Sequence, residues 1–123
     1  MVVAFNDINP QAAVHILVIP RKHIKDYGSL KTNSEEDYKL LSHMKEVGEN
    51  LLKQHKPDAQ YLYIHLTNRL GFHRKIATMI KHLHLHCLAT PWTSTVKSTL
   101  LFNWMVFVEV DNVLKNFKSI TSL

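Results

Sequence analysis

The chain has 123 residues, 46% of them hydrophobic, which is enough for one domain with an apolar core. Lysine and arginine number 15 against 10 aspartates and glutamates, and this net charge of +5 suits anionic small molecules, nucleotides or nucleic acid. The single cysteine excludes an internal disulfide and a cysteine-based zinc finger, and no apolar run is long enough to cross a bilayer.

The first residues predict two short strands. "VVAF" at 2–5 is followed by Asn, Asp and Pro, which favour a turn, and "HILVI" at 15–19 is a continuously apolar run stopped by Pro20. The opening residues lack the basic region and the cleavage site of a secretory signal. We therefore expect a cytoplasmic protein, with the nucleus as a further location.

The segment 34–55 predicts one long helix. Ser34 or Asn33 is positioned to cap it, and acidic residues in the first turn favour the positive end of the helix dipole. Six apolar residues recur at three- and four-residue steps: Leu40, Leu41, Met44, Val47, Leu51 and Leu52.

The second half of the chain predicts three more strands and a short helix. The strands are 61–67, 81–89 and 104–110; the connections are 68–75, which contains Gly71, and 90–98; and Asp111 is positioned to cap a helix over 112–117. Because the long helix is set apart from the strands, the pattern favours an α+β fold with a mostly antiparallel five-stranded sheet.

The stretch "HLHLHCL" at 82–88 alternates histidine with apolar residues. Side chains of a strand point alternately to its two faces, so a strand here would place His82, His84 and His86 on one face. The opposite face would be apolar and would hold Leu83, Leu85 and Cys87, the last interpreted as a small buried hydrophobe.

Three interpretations of this histidine face compete. Core histidines are the usual answer for an isolated residue, but three imidazoles buried without partners would cost about 1–3 kcal/mol each. Alternate imidazoles can share a metal ion, although zinc needs further ligands and the strand has no carboxylate. In the third interpretation a neutral imidazole attacks phosphorus while a neighbour protonates the leaving group. We favour this catalytic interpretation, without a metal ion.

Two separated motifs resemble those of the histidine-triad (HIT) family of nucleotide hydrolases and transferases. The first is His-x-His-x-His followed by apolar residues. The second, "AFNDINPQAAVHILVIPRKHI" at 4–24, is similar to the Hint pattern, in which a Phe-x-Asp-Ile-x-Pro turn precedes a histidine-led strand. "GFH" at 71–73, "HLHLHCLA", the long helix and the C-terminal stretch are similar to the third Hint branch of animals and its plant relatives.

This resemblance covers nearly the whole chain. It implies a single HIT domain over 1–123, in which the N-terminal segment usual for the family is absent. It also implies that His84 is the nucleophile that takes the nucleotidyl group. His82 and His86 would then orient it and stabilise phosphate charge, and His15 would be the fourth histidine of the site.

The resemblance further implies a nucleotide pocket. Asp7 stands where the family's carboxylate accepts both ribose hydroxyls, and one acceptor-only carboxylate is able to take two O–H bonds. His73 follows Gly71 near the triad and is assigned to the phosphate. Three apolar residues fall at positions of the purine pocket: Phe5, Ile8 and Leu17.

The stretch "RKIATMIK" at 74–81 departs from that branch. The branch usually has a Pro-Pro-Phe run there, followed by a small polar residue three places before the triad. Here Met79 occupies that place and Thr78 precedes it, so Thr78 is the nearest hydroxyl we assign to nucleotide binding.

The function that the resemblance implies is a HIT-fold adenosine phosphoramidase-type hydrolase. It would release AMP through an adenylyl-His84 intermediate without a cofactor, and it would form a homodimer with no membrane association. One rival is an aprataxin-like hydrolase acting on adenylated nucleic-acid ends, which is disfavoured because that family carries a C-terminal zinc finger. The other is a nucleotide-binding or scaffold protein with decayed catalysis, which the altered 74–81 stretch favours.

Overall fold

The computed structural model describes residues 1–55, 68–74, 81–103 and 105–117. The strands are Val2–Asn6 (β1), Ala12–Pro20 (β2), Asn68–His73 (β3), Leu85–Trp92 (β4) and Phe107–Glu109 (β5). The α-helices are Glu35–His55 (α1), Thr95–Phe102 (α2) and Val110–Leu114 (α3), and short 3-10 turns lie at Tyr27–Ser29 and Lys115–Phe117. None of the described helices is both long and apolar enough to span a membrane.

The five strands form one sheet in the order β1-β2-β4-β3-β5, and every described pairing is antiparallel. The strand that carries His86 is therefore central, with β2 on one side and β3 on the other. The predicted α+β fold with a five-stranded, mostly antiparallel sheet is confirmed.

Helix α1 covers one face of this sheet. Leu83, Leu85 and Cys87 are all buried in the same cluster as the apolar residues of α1, as the alternating sequence predicts. The approach is close, since a Cβ added at Gly48 of α1 would lie 2.6 Å from the Cys87 sulfur. Burial raises the pKa of the Cys87 thiol to about 12, so this thiol stays protonated.

The predicted long helix is confirmed. It begins at Glu35, and the Ser34 hydroxyl accepts a hydrogen bond from the Asp37 N–H at 3.2 Å, so Ser34 supplies the cap. Four residues of the predicted stripe are fully or almost fully buried against the sheet: Leu40, Leu41, Met44 and Leu52.

Helix α2 covers part of the opposite face. A second apolar cluster lies there, formed by Ala12, Leu88, Phe102 and Phe107 with Trp92 packed against it. The sequence predicts a loop over 90–98, and this is wrong at both ends, because β4 continues to Trp92 and α2 begins at Thr95. Ser94 caps it by accepting a hydrogen bond from the Lys97 N–H at 3.3 Å.

Residues 68–73 form a strand, although the sequence predicts a connection there. Gly71 is the reason for the wrong prediction, since a glycine within a short segment suggests a connection between strands and not a strand. In the sheet it allows β5 to approach, because a Cβ at this position would lie 2.3 Å from the Val108 carbonyl oxygen. The strand predicted over 61–67 lies outside the described residues.

Three predicted boundaries also differ. β4 begins at Leu85, so the predicted start of that strand at 81 is wrong, and β5 covers only Phe107–Glu109 of the predicted 104–110. Asp111 lies inside α3 rather than capping it, and its carboxylate pairs with the Lys45 ammonium at 2.6 Å.

Candidate active site

Strand register brings three histidines together on the α2 face of the sheet. His86 lies opposite Leu17 on β2 and opposite Gly71 on β3. Directly opposed side chains share a face, and so do residues two places along each strand. His15 and His73 are therefore diagonal neighbours of His86, one on each flanking strand.

These three rings form a series of hydrogen bonds that we call the histidine chain, in the order His15, His86, His73. The Gln11 N–H donates to His15 Nδ1 at 3.0 Å, and His15 Nε2 lies 2.9 Å from His86 Nδ1. His86 Nε2 lies 3.1 Å from His73 Nδ1, and His73 Nε2 lies 2.7 Å from the Leu101 carbonyl oxygen.

The rings of the histidine chain are held neutral by their surroundings. His15 and His86 are 4% and 6% exposed. Burial, followed by the neighbouring histidines, places the pKa of His86 well below 6.5. Burial also lowers the pKa of His15 against the opposing effect of Asp7, and lowers that of His73 against its bond to Leu101.

His84 lies just before β4 and is only half-buried. Its Nδ1 donates to the His82 carbonyl at 2.7 Å, which leaves the Nε2 lone pair free. Among the described residues Nε2 has no hydrogen-bond partner. The ring packs edge-on against His86 at a centroid distance of 5.0 Å. His84 also lines a shallow cleft with Lys25, Phe72 and His82.

His82 lies in a bend before the strand, and its ring contacts Pro20 and His23 instead of the histidine chain. Its Nε2 donates to the Pro20 carbonyl at 3.1 Å, and its ring packs edge-on against His23 at 5.1 Å. The prediction that one strand carries all three rings is therefore wrong for His82 and His84, because the strand begins only at Leu85. The His84 ring still packs against His86, whereas the His82 ring does not.

Asp7 lies beside the first ring of the histidine chain. One carboxylate oxygen accepts from the Asn9 N–H at 2.8 Å and closes the turn, while the other lies 3.5 Å from His15 Nε2. The carboxylate is thus both a turn residue and a neighbour of the histidines. Its assignment to the ribose hydroxyls stays a prediction.

Two of the predicted purine-pocket residues lie in line with His86. Phe5 is paired with Leu17, and Leu17 with His86, so the three side chains form a row on one face across β1, β2 and β4. Phe5 is 45% exposed and so available to a ligand, whereas Ile8 projects fully into solvent from the turn.

The predicted nucleotide contacts of His73 and Thr78 stand differently against the structure. Both ring nitrogens of His73 are engaged, one by His86 and one by Leu101, so the predicted phosphate contact would require one of these bonds to break. Thr78, like Met79, lies outside the described residues, and its assignment stays a prediction.

Sequence reasoning missed the groups at the two ends of the histidine chain. The Gln11 N–H and the Leu101 carbonyl belong to the main chain and have no sequence signature. Arg69 was missed too, although it lies on the same strand face as His73. It donates to the Phe102 carbonyl at 2.7 Å and pairs with Glu109. The two-residue spacing of Arg69, Gly71 and His73 was the available signal.

Asp7, His15 and His86 offer ligand atoms that all lie within 4.8 Å of one another, close enough to consider a metal ion. The hydrogen bonds disfavour that use. Donation by Gln11 to His15 Nδ1 leaves the proton of neutral His15 on Nε2, which is the atom a metal ion would need. Binding of a cation to Nε2 would shift the His15 proton to Nδ1. The Gln11 N–H would then lose its hydrogen-bond acceptor.

Known proteins are similar to this chain in sequence and in fold. Residues 1–101 match the family model described as "Scavenger mRNA decapping enzyme C-term binding". The bifunctional adenosine 5'-phosphosulfate phosphorylase/adenylylsulfatase HINT4 of Arabidopsis thaliana is 37% identical, and the match covers 98% of this chain and 80% of that protein.

The adenosine 5'-monophosphoramidase HINT3 of Xenopus tropicalis is 32% identical, over 95% of this chain and 72% of the relative. Among solved structures, a HIT family hydrolase from Clostridium thermocellum matches with a TM-score of 0.60 and 25% identity, over 76% of this chain and 75% of that one. The chain therefore belongs to the histidine-triad family of nucleotide hydrolases and transferases. Within that family its relatives include Hint-type proteins of the HINT3 and HINT4 groups.

Proposed function

We propose that this protein releases AMP from adenosine 5'-phosphoramidate-type substrates through an adenylyl-His84 intermediate. The observation that carries the proposal is the tautomer of His84. Its Nδ1–H is held by the His82 carbonyl at 2.7 Å, so the Nε2 lone pair is available at a cleft lined by other basic side chains. A neutral imidazole held in this way is a nucleophile for phosphorus.

The reaction balances in two displacements. His84 Nε2 attacks the α-phosphorus, the P–N bond to the amine breaks, and its electron pair leaves with the amine nitrogen, which takes up a proton from solvent. Water then attacks the same phosphorus and the P–Nε2 bond breaks. AMP leaves, the proton of the water passes to solvent, and His84 returns to its neutral form.

The names of the relatives support an adenosine 5'-phosphoryl substrate. One is named for adenosine 5'-phosphosulfate and the other for an adenosine 5'-monophosphoramidase. The leaving group is therefore the part of the substrate on which these names differ. For this chain we propose an amine first and sulfate second.

The test is AMP release from adenosine 5'-phosphoramidate and from adenosine 5'-phosphosulfate, measured side by side. A substrate labelled at the α-phosphorus should leave label on the protein after rapid acid quenching, and His84→Asn should retain none. Absence of turnover with both substrates would contradict the proposal, and so would turnover by His84→Asn.

We also propose a homodimer in the cytoplasm, with the nucleus as a further location. Most of the α1 stripe is buried against its own sheet, but Val47 and Leu51 remain half-buried and could meet a second subunit. Sedimentation at micromolar concentration should give twice the 14.3 kDa chain mass, and a monomer would contradict this.

A further inference from the structure

The histidine chain joins two main-chain groups from separate parts of the fold. Gln11 precedes the paired part of β2, and Leu101 lies in the last turn of α2. Between them stand three imidazoles with no free ring nitrogen, at spacings of 2.9 and 3.1 Å.

The Gln11 end sets the direction of the hydrogen bonds. A main-chain N–H can only donate, so His15 Nδ1 accepts and the neutral ring carries its proton on Nε2. That proton faces His86 Nδ1, which must accept. His86 therefore carries its own proton on Nε2 and donates it to His73 Nδ1.

The Leu101 end requires the same direction. A carbonyl oxygen can only accept, so His73 Nε2 is the donor at 2.7 Å. Its Nδ1 is then left to accept from His86. Two independent ends thus demand one tautomer, with the proton on Nε2, for each of the three rings.

This arrangement fixes protons rather than moving them. Passage of a proton along the series would need the Gln11 amide to supply one, which a main-chain amide does not do. Protonation of any single ring would set two N–H groups against each other inside the core. Burial acts in the same sense, since it lowers the pKa of all three rings.

His84 is the residue whose surroundings this arrangement keeps fixed. Its ring stands edge-on to His86, with centroids 5.0 Å apart and an interplanar angle of 64°. Rotation of the His86 ring would change the surface against which the His84 ring packs. A positive charge on His86 would make the Nε2 lone pair of His84 less nucleophilic.

We propose that His73 is a positioning residue for the reaction. Anchored by the Leu101 carbonyl, it accepts the Nε2–H of His86 and so holds His86 neutral, in one tautomer and in one orientation against the nucleophile. The inference rests on the proposed function of His84, and it replaces the phosphate contact predicted for His73.

Substitution of His73 is expected to leave its surroundings in place. The end of α2 is held separately by Arg69, which donates to the Phe102 carbonyl at 2.7 Å. The His73 ring also packs against Phe102 at 5.2 Å and Phe107 at 5.5 Å. His73→Phe keeps this aromatic packing and removes both nitrogens.

The first measurement needs no substrate. Long-range ¹H–¹⁵N spectra of the histidine side chains of the full chain at neutral pH should show His15, His86 and His73 as neutral rings protonated on Nε2. Finding His86 charged, or protonated on Nδ1, overturns the proposal.

The second measurement compares three variants. His73→Phe should lower kcat about 10- to 100-fold, as when a partner that orients a functional histidine is lost, with little change in KM. His73→Asn places an amide oxygen near the former Nδ1 and should recover much of kcat. In His73→Gln the longer side chain can reach the Leu101 carbonyl but does not replace Nδ1, so this variant should not recover kcat.

The matched control is His43→Asn on α1, across the sheet, which should leave kcat and the His86 spectrum unchanged. Wild-type kcat in His73→Phe, or equal kcat in the Asn and Gln variants, overturns the positioning role. If His73→Phe does not fold, the positioning role is still tested by comparing kcat of the Asn and Gln variants and by the wild-type spectrum. Absence of AMP release by the wild type, with the expected spectrum, would refute the proposed function and not the tautomers.

Discussion

Two groups of histidines lie side by side in this protein and differ in their hydrogen bonding. In the histidine chain, both nitrogens of each ring are bonded to other protein groups. In the cleft, His82 and His84 each give one nitrogen to a main-chain carbonyl, at 3.1 and 2.7 Å. Among the described residues, the second nitrogen of each has no hydrogen-bond partner.

The contrast is sharpest between His84 and His86, which are only two residues apart. Burial and two ring partners make His86 a fixed, neutral element of the scaffold. Half-exposure and a single carbonyl partner leave His84 with a directed lone pair. The residue type alone therefore does not assign a role, because strand position and partner atoms do.

The largest expected effect separates the two groups directly. His84→Asn removes the reacting nitrogen and should lower kcat by roughly a thousand-fold or more, while AMP still binds because the rest of the pocket is intact. His82→Asn should be much milder. Steady-state kinetics with calorimetry of AMP binding measure both effects, and near-normal kcat in His84→Asn would erase the distinction.

The histidine chain should also appear in the pH dependence of stability. Its three rings have folded-state pKa values lowered from 6.5, so below that pH the unfolded chain binds more protons than the folded one. The free energy of unfolding is therefore highest above pH 6.5 and falls as pH drops towards the folded pKa values.

Most of this fall should come from His86, whose pKa lies well below 6.5, at up to about 1.4 kcal/mol per pH unit, and less from His15 and His73, whose pKa values are lowered less. Urea unfolding at a series of pH values gives the slope. His73→Phe should reduce it, because one titrating ring with a lowered pKa is gone. A stability that stays constant on acidification would mean that the rings are not held neutral.

Asp7 lies beside His15, the first ring of the histidine chain, and its substitution tests the predicted contact with the ribose. Asp7→Ala should weaken ribonucleotide binding by about 1–3 kcal/mol, the usual loss for hydrogen bonds to a charged partner. It should hardly affect 2',3'-dideoxy analogues. Asp7→Asn is the matched control, because it keeps an acceptor for the Asn9 N–H and so preserves the turn. Equal losses for both ligands would reduce Asp7 to a turn residue.

The parts of the fold that could be predicted are those with a clear period. The apolar repeat of α1 and the alternation of Leu83, Leu85 and Cys87 indicated which surfaces are buried. Helix α2 could not be predicted from periodicity, because its apolar residues do not all lie on the buried face: Val96 and Leu100 are 70% and 66% exposed. β3 was hidden by Gly71, whose role is close packing against β5.

The candidate site divides in the same manner. His84, His86 and His15 could be named from motifs, since their types and spacing in the sequence carry the signal. The ends of the histidine chain could not, because any residue has a main-chain N–H and carbonyl. The role of His73 follows only from the distances to His86 and Leu101, which depend on how three strands and α2 pack.

The smallest of the predicted effects concerns the donor that the cleft needs for its phosphate. The histidine chain offers none, because both nitrogens of His73 are engaged. Met79 stands where the similar Hint branch has a small polar residue, and a thioether cannot donate. Met79→Ser should therefore raise kcat about tenfold, equivalent to 1.4 kcal/mol of transition-state stabilisation, and leave KM unchanged. Met79→Ala is the matched control, since it makes the same space without a hydroxyl. If both variants equal a fast parent, the donor lies elsewhere, and the Lys25 ammonium that lines the cleft with His84 becomes the residue to substitute.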